Sequence, residues 1–157
     1  MKFIKRLLGF KSVQKKDSDY IKINKLKFED YSDVDLILRY VIDIYNEIWK
    51  DISLYDINLT EAKFHLEKLN SLNPNNSKIL TNLGAILSDK GKHQEALKYL
   101  LKAEKICSKD RNLSMNIGIV KMGMENERPN AKKHFEKAES LTPNELTIEA
   151  YFDPHAH

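Results

Sequence analysis

From Asp33 the apolar residues fall at steps of three and four: Val34, Ile37, Leu38, Val41, Ile42, Tyr45, Ile48, Trp49 and Ile52. That spacing predicts an amphipathic helix, with Asp33 as its N-cap. Beyond it a longer period appears. Ala62, Leu66, Leu69 and Pro74 are followed by Ala96, Leu100, Ala103 and Ser108, then by Ala131, Phe135, Ala138 and Pro143. The alanines stand 34 and 35 residues apart. A period of this size predicts stacked helix pairs, each burying its apolar face only against a neighbour.

Punctuation divides the pattern into helices near 60–71, 77–90, 93–107, 111–124 and 129–141. Asn73-Pro74 and Thr142-Pro143 close two of them, because a residue before proline is pushed out of helical conformation. Gly91 serves as a C-cap, and Pro129 suits a first turn, where its missing N–H costs nothing. Residues 144–152 are expected to start a capping helix, with a frayed tail after it. Upstream, Ile21 to Phe28 reads as extended chain or a short strand. The chain thus divides into a basic segment and connector at 1–32, a helical-repeat domain at 33–145, and a cap and tail at 146–157.

Composition narrows the class. The 157 residues suit one domain, and 41% apolar content is enough for a core. The lone Cys107 excludes an internal disulfide framework and points to a reducing, cytoplasmic setting. The net charge of +3 is unevenly placed. Residues 1–16 carry Lys2, Lys5, Arg6, Lys11, Lys15 and Lys16 without an acid, whereas 140–157 carry Glu145, Glu149 and Asp153 without Lys or Arg. The middle balances, so no basic face for nucleic acid is expected. No apolar run approaches a membrane span, and the first ten residues lack the apolar stretch of a secretory signal. Phe3, Ile4, Leu7 and Leu8 with Lys2, Lys5 and Arg6 form a short amphipathic block. It is a basic terminus docked or frayed, a peripheral membrane anchor, or a partner-binding arm.

The combination Leu83-Gly84 with Leu87, Gly91, Ala96, Leu100 and Ala103 resembles the tetratricopeptide repeat, a 34-residue helix–turn–helix unit. Ile117-Gly118 with Lys121 occupies the same place in the next copy. The resemblance implies an all-α, right-handed helical-repeat solenoid with repeats near 43–76, 77–110 and 111–145. It also implies that the small residue lets the second helix approach closely, with the alanine of that helix meeting it. In the first copy Lys50, after Trp49, replaces the small residue, so that pair is expected to splay or shift its register. The third copy carries one extra residue around Glu125 to Arg128.

In such arrays the first helices line a concave groove. The positions that the resemblance assigns to it are Ile44, Glu47, Ile48, Asp51, Leu54 and Tyr55 in the first copy. The second copy adds Lys78, Thr81, Asn82, Ala85, Ser88 and Asp89. The third adds Asn112, Met115, Asn116, Ile119, Met122 and Gly123. Asn82 and Asn116 recur 34 residues apart, where an amide can donate and accept along an extended peptide backbone. The branch of the family that grips a terminal carboxylate uses Lys or Arg. Here Glu47, Asp51, Asn112 and Asn116 supply no such charge. Glu47, Asp51 and Asp89 suggest tolerance of basic partners instead. Trp49 and Cys107 are expected to pack, as are Met115 and Met122 against the capping segment. His65 and His134 hold equivalent places on second helices, and His155-x-His157 is too few ligands for a specific metal site.

No phosphate loop, HExxH, GxSxG or paired catalytic carboxylates appear, so neither catalysis nor a cofactor is expected. The expected function is a non-enzymatic module binding a peptide or protein in its groove. Two alternatives stand beside it: a bacterial immunity or inhibitor protein neutralising a toxin enzyme, and an assembly factor anchored to a membrane by residues 1–10.

Overall fold

The computed structural model describes residues 31–151. The basic block, the expected strand at Ile21 to Phe28, the anchor residues Lys2 to Leu8 and the histidine tail lie outside them. Among the described residues there are six α-helices, two 3-10 turns and no strand: an all-α protein. The chain divides into two compact units, Met1–His65 and Leu66–His157.

In the first unit, α1 (Val34–Ile48) is capped by Asp33, whose carboxylate accepts the Leu36 N–H at 3.0 Å. Ile37, Leu38, Val41, Tyr45 and Ile48 are buried, as the spacing predicts; Tyr40 and Ile44 join them, while Val34 and Ile42 are only half-buried. The helix stops earlier than the apolar pattern suggests. Asp51 accepts both the N–H and the hydroxyl of Ser53, an Asx turn that opens a 3-10 segment, Ile52–Leu54. Trp49 is therefore the C-cap, 41% exposed and edge-on to Tyr45, not a core residue. Lys50 lies in the exposed turn and pairs with Glu47 at 2.8 Å. It sits at no close crossing, so the steric conflict expected of it does not arise.

The next helix, α2 (Tyr55–Leu72), starts five residues before the expected 60. Asn58 ties it to α1 by donating to the Ile44 carbonyl at 2.8 Å. His65 is buried, with Nδ1 2.7 Å from the Tyr31 hydroxyl and Nε2 2.8 Å from Glu61.

The second unit holds α3 (Ser77–Asp89), α4 (His93–Ile106), α5 (Arg111–Met122) and α6 (Lys132–Glu139). Consecutive helices pack on one another, as a helical repeat requires. Asn76 and Asp110 cap α3 and α5 with their side chains. Gly91, at φ +72°, takes the left-handed position after α3. There its N–H reaches the Ser88 carbonyl and the Lys92 N–H reaches that of Leu87, a Schellman ending. A core of Leu80, Leu87, Ala96, Leu100, Ala103, Leu113, Ile117 and Val120 joins α3, α4 and α5.

Two glycines set how closely the pairs approach. A Cβ on Gly84 would lie 2.4 Å from Leu100 Cγ, and one on Gly118 would lie 2.5 Å from a ring carbon of Phe135. The nearest side chain at each crossing is thus the large residue of the second helix, not its alanine as the resemblance implies. The repeat is physical: the same contact recurs with Leu100 in one pair and Phe135 in the next.

Three expectations need correction here. Pro129 belongs to a separate 3-10 turn, Arg128–Asn130, and α6 begins only at Lys132. The extra residue of the third copy is absorbed in that turn. Cys107, at the end of α4, is exposed and packs against no core. Residues 144–152 start no capping helix; through 151 they form a turn followed by extended chain.

Gly84→Ala is expected to destabilise the protein despite alanine's better helix propensity. Overpacking costs roughly 1–3 kcal/mol, and propensity returns about 1 kcal/mol. Adding Leu100→Ala should relieve the clash but open a cavity, so thermal melts of single and double variants will be non-additive. The buried His134 supplies a pH effect: burial is the main cause holding its pKa below the ordinary value. Nearby Lys121, Lys133 and Lys137 lower it too, against Glu104. The unfolded chain then binds the proton more readily, so stability falls as pH drops below about 6.5. His134→Leu should flatten that acid limb in urea melts between pH 7 and 5.

Candidate functional site

The face of α3 and α5 that the repeat directs toward a groove is small and polar. Thr81, Asn82, Ala85 and Ser88 on α3 are buried, as are Asn112, Asn116 and Ile119 on α5. Helices that presented this row to open solvent would leave it exposed. At Asn82, Asn112 and Asn116 the partner is the chain's own segment 144–151.

Local chemistry starts this segment. Asp110, while capping α5, also accepts the Asn144 N–H at 3.1 Å, and the Arg111 N–H donates to the Thr142 carbonyl. Asn144 then makes its own turn, its side chain accepting the Leu146 N–H and its carbonyl accepting from Thr147. Beyond that turn the chain runs extended across the asparagines.

The amide of Asn82 donates to the Leu146 carbonyl at 3.0 Å and accepts the Ile148 N–H at 2.7 Å. Asn116 donates to the Ile148 carbonyl at 2.8 Å and accepts the Ala150 N–H, also at 2.8 Å. Each amide therefore spans residue n and residue n+2, and the second begins where the first ends. Only one orientation of each amide satisfies both bonds, since nitrogen must face the carbonyl and oxygen the N–H. An asparagine placed this way imitates the peptide group of a neighbouring parallel strand.

Asn112 adds bonds to the Thr147 carbonyl and hydroxyl at 3.0 and 3.1 Å. Asp89 accepts the Tyr151 N–H at 2.9 Å. Leu146, Thr147, Ile148 and Ala150 are buried, while Glu149 points out and pairs with Arg111. Both side chains of that ion pair are about one-third exposed, so it orients the segment more than it stabilises it.

The predicted positions thus separate. Asn82, Asp89, Asn112 and Asn116 meet on one extended segment. Ile119 is buried on the same helix as the last two. Lys78 is half-buried in the first turn of α3. Met115, with Arg111, Phe135, Ala138 and Glu139, lines a small apolar hollow of about 310 Å³ and so faces α6. Met122 is half-buried, and its carbonyl accepts from Arg128.

Ile44, Glu47, Ile48, Asp51 and Tyr55 belong to the first unit. Ile44 and Ile48 are core residues, not an open apolar lining. Glu47 is engaged with Lys50 and Asp51 with Ser53, so neither is an idle acid awaiting a basic partner.

Arg111 and Asp110 went unnoticed as site residues, and so did the segment itself. Its signal was the alternation of Leu146, Ile148 and Ala150 after Pro143, a period of two rather than 3.6. Among the described residues no group of acids, histidines and cysteine forms a metal site, and no helix is long and apolar enough to cross a membrane.

In comparison with known families, residues 65–98 match the tetratricopeptide repeat. The matched stretch runs from α2 through α3 into α4, so it contains Asn82 and Gly84 and stops two residues short of Leu100. It starts at 65 rather than at the 77 expected for the middle copy. No curated protein matches the chain.

Asn116→Ala strips the Ile148 carbonyl and the Ala150 N–H of their partner at a buried place. A loss of about 1–3 kcal/mol is expected, with amide exchange accelerating at Ala150 more than within α3. Hydrogen exchange read residue by residue checks both the size and the place of the effect.

Proposed function

We propose that this chain, which carries a tetratricopeptide repeat at residues 65–98, is a protein-interaction module whose α3/α5 groove takes an extended segment of a partner. The observation that carries the reading is the asparagine pair. Asn82 and Asn116 each engage a carbonyl and an N–H of extended main chain, two residues apart. Such bonds supply affinity without regard to sequence, and side-chain contacts then select among segments.

The mechanism is binding, with no chemistry performed on the partner. The groove's polar row is wet when bare, so an incoming backbone exchanges water hydrogen bonds for amide ones. The net gain per bond is modest, about 0.5–1.5 kcal/mol. In the orientation they hold, the two amides match one direction of the segment, and a reversed one would require both to flip.

Affinity capture from a native extract, read by mass spectrometry, tests this. Partners held by the wild-type chain are expected to be lost by Asn82→Ala/Asn116→Ala while the helical circular dichroism signal persists. Equal capture of every specific partner by that variant would remove the groove from the account.

A further inference from the structure

The groove already holds an extended peptide, and that peptide belongs to the chain. From this we infer that residues 144–151 are a displaceable resident of the α3/α5 groove, and that the partner segment replacing them shares their pattern. The pattern is extended, with apolar side chains at the places of Leu146 and Ile148, a small one at that of Ala150, and an acid at that of Glu149. The inference rests on the proposed role of the groove and names its ligand.

Three observations carry it. First, the bonds holding Ile148, Ala150 and Tyr151 come from side chains of the helices, Asn82, Asn116 and Asp89. The strand joins no sheet whose loss would unravel its neighbours.

Second, the face beneath it is not an apolar core. Asn82, Asn112 and Asn116, the residues bonded to the segment, are polar and can return to water when it leaves. Departure then costs hydrogen bonds that water largely replaces, together with exposure of Leu146 and Ile148.

Third, the strand presents a complete recognition pattern. Leu146, Ile148 and Ala150 are buried at alternate places, and between the last two Glu149 turns outward to meet Arg111. Whatever replaces it meets the same amides and the same guanidinium.

The tether makes the resident effective. Helix α6 ends at Glu139, and the bound stretch begins within a few residues. Short tethers hold a ligand at an effective concentration of about millimolar. A free segment with identical contacts therefore competes poorly until the resident is weakened, by a better match in the partner or by a change in the resident itself.

The test uses the full chain and a fluorescent peptide copying residues 142–151 with both ends capped, read by anisotropy. Leu146→Asp/Ile148→Asp in the chain expels the resident and leaves the helices untouched. That opened chain is expected to bind the peptide at least about tenfold more tightly than wild type. The added Asn82→Ala/Asn116→Ala pair should abolish binding. A peptide carrying Glu149→Lys should bind a few-fold more weakly, as suits a half-exposed ion pair, and Arg111→Glu in the opened chain should restore it.

Equal binding by wild-type and opened chains would overturn the inference. So would a folded, opened chain that ignores the peptide, and so would an opened chain that loses its helical signal, since the strand would then be part of the core. None of these outcomes touches the groove's broader role if capture of partners still depends on Asn82 and Asn116. Loss of that dependence sinks the broader reading instead.

Discussion

Everything in the second unit depends on how closely two helices pass at a glycine. With no side chain at Gly84 and Gly118, Leu100 and Phe135 press onto bare backbone, and the same kind of contact closes each pair. Repetition of that contact keeps α3 and α5 in equivalent positions, which brings Asn82 and Asn116 onto one line. Packed helices lie about 8–10 Å apart, while two residues of extended chain cover about 7 Å. The reach of an asparagine side chain spans the difference. Looser crossings would carry the amides out of step with the backbone they hold.

The groove illustrates why buried polar groups confer definition. Each main-chain group of residues 146–150 that turns inward needs a partner, and apolar helices have none to offer. Asparagine supplies a donor and an acceptor on one short, stiff side chain. Asp110 works similarly at the entrance, where one carboxylate both starts α5 and receives Asn144. Capping and docking are thereby coupled: the residue that begins the helix also fixes where the strand begins.

Legibility in the sequence followed physical range. The helices of the second unit, the Gly91 ending and the glycine crossings come from local spacing, and the 34-residue period made them plain; the Asn76 and Asp110 caps went unread. The asparagine pair was visible too, because the repeat gives equivalent places equivalent surroundings. What it holds was hidden, since the partner of Asn82 lies 64 residues along the chain. Residues 144–151 carry Glu, Leu and Ala, good helix formers, and docking on the asparagines holds them extended. Trp49 and Cys107 misled for another reason. Hydrophobic type says that burial is favourable, but the turn set by Asp51 and the end of α4 leave both outside. In the first unit the helical spacing ran past Ile48, where one Asx turn overrode it.

The tiling of the two amides has a metric consequence. Asn82 covers the edge from residue 146 to 148, and Asn116 takes it up at 148 and carries it to 150. Ile148 serves both amides, giving its N–H to one and its carbonyl to the other. The groove is thus a ruler graduated in steps of two residues, one step for each helix pair. An insertion of a single residue into a bound segment would not merely lengthen it. It would turn every following side chain to the opposite face and leave the next amide opposite the wrong atoms.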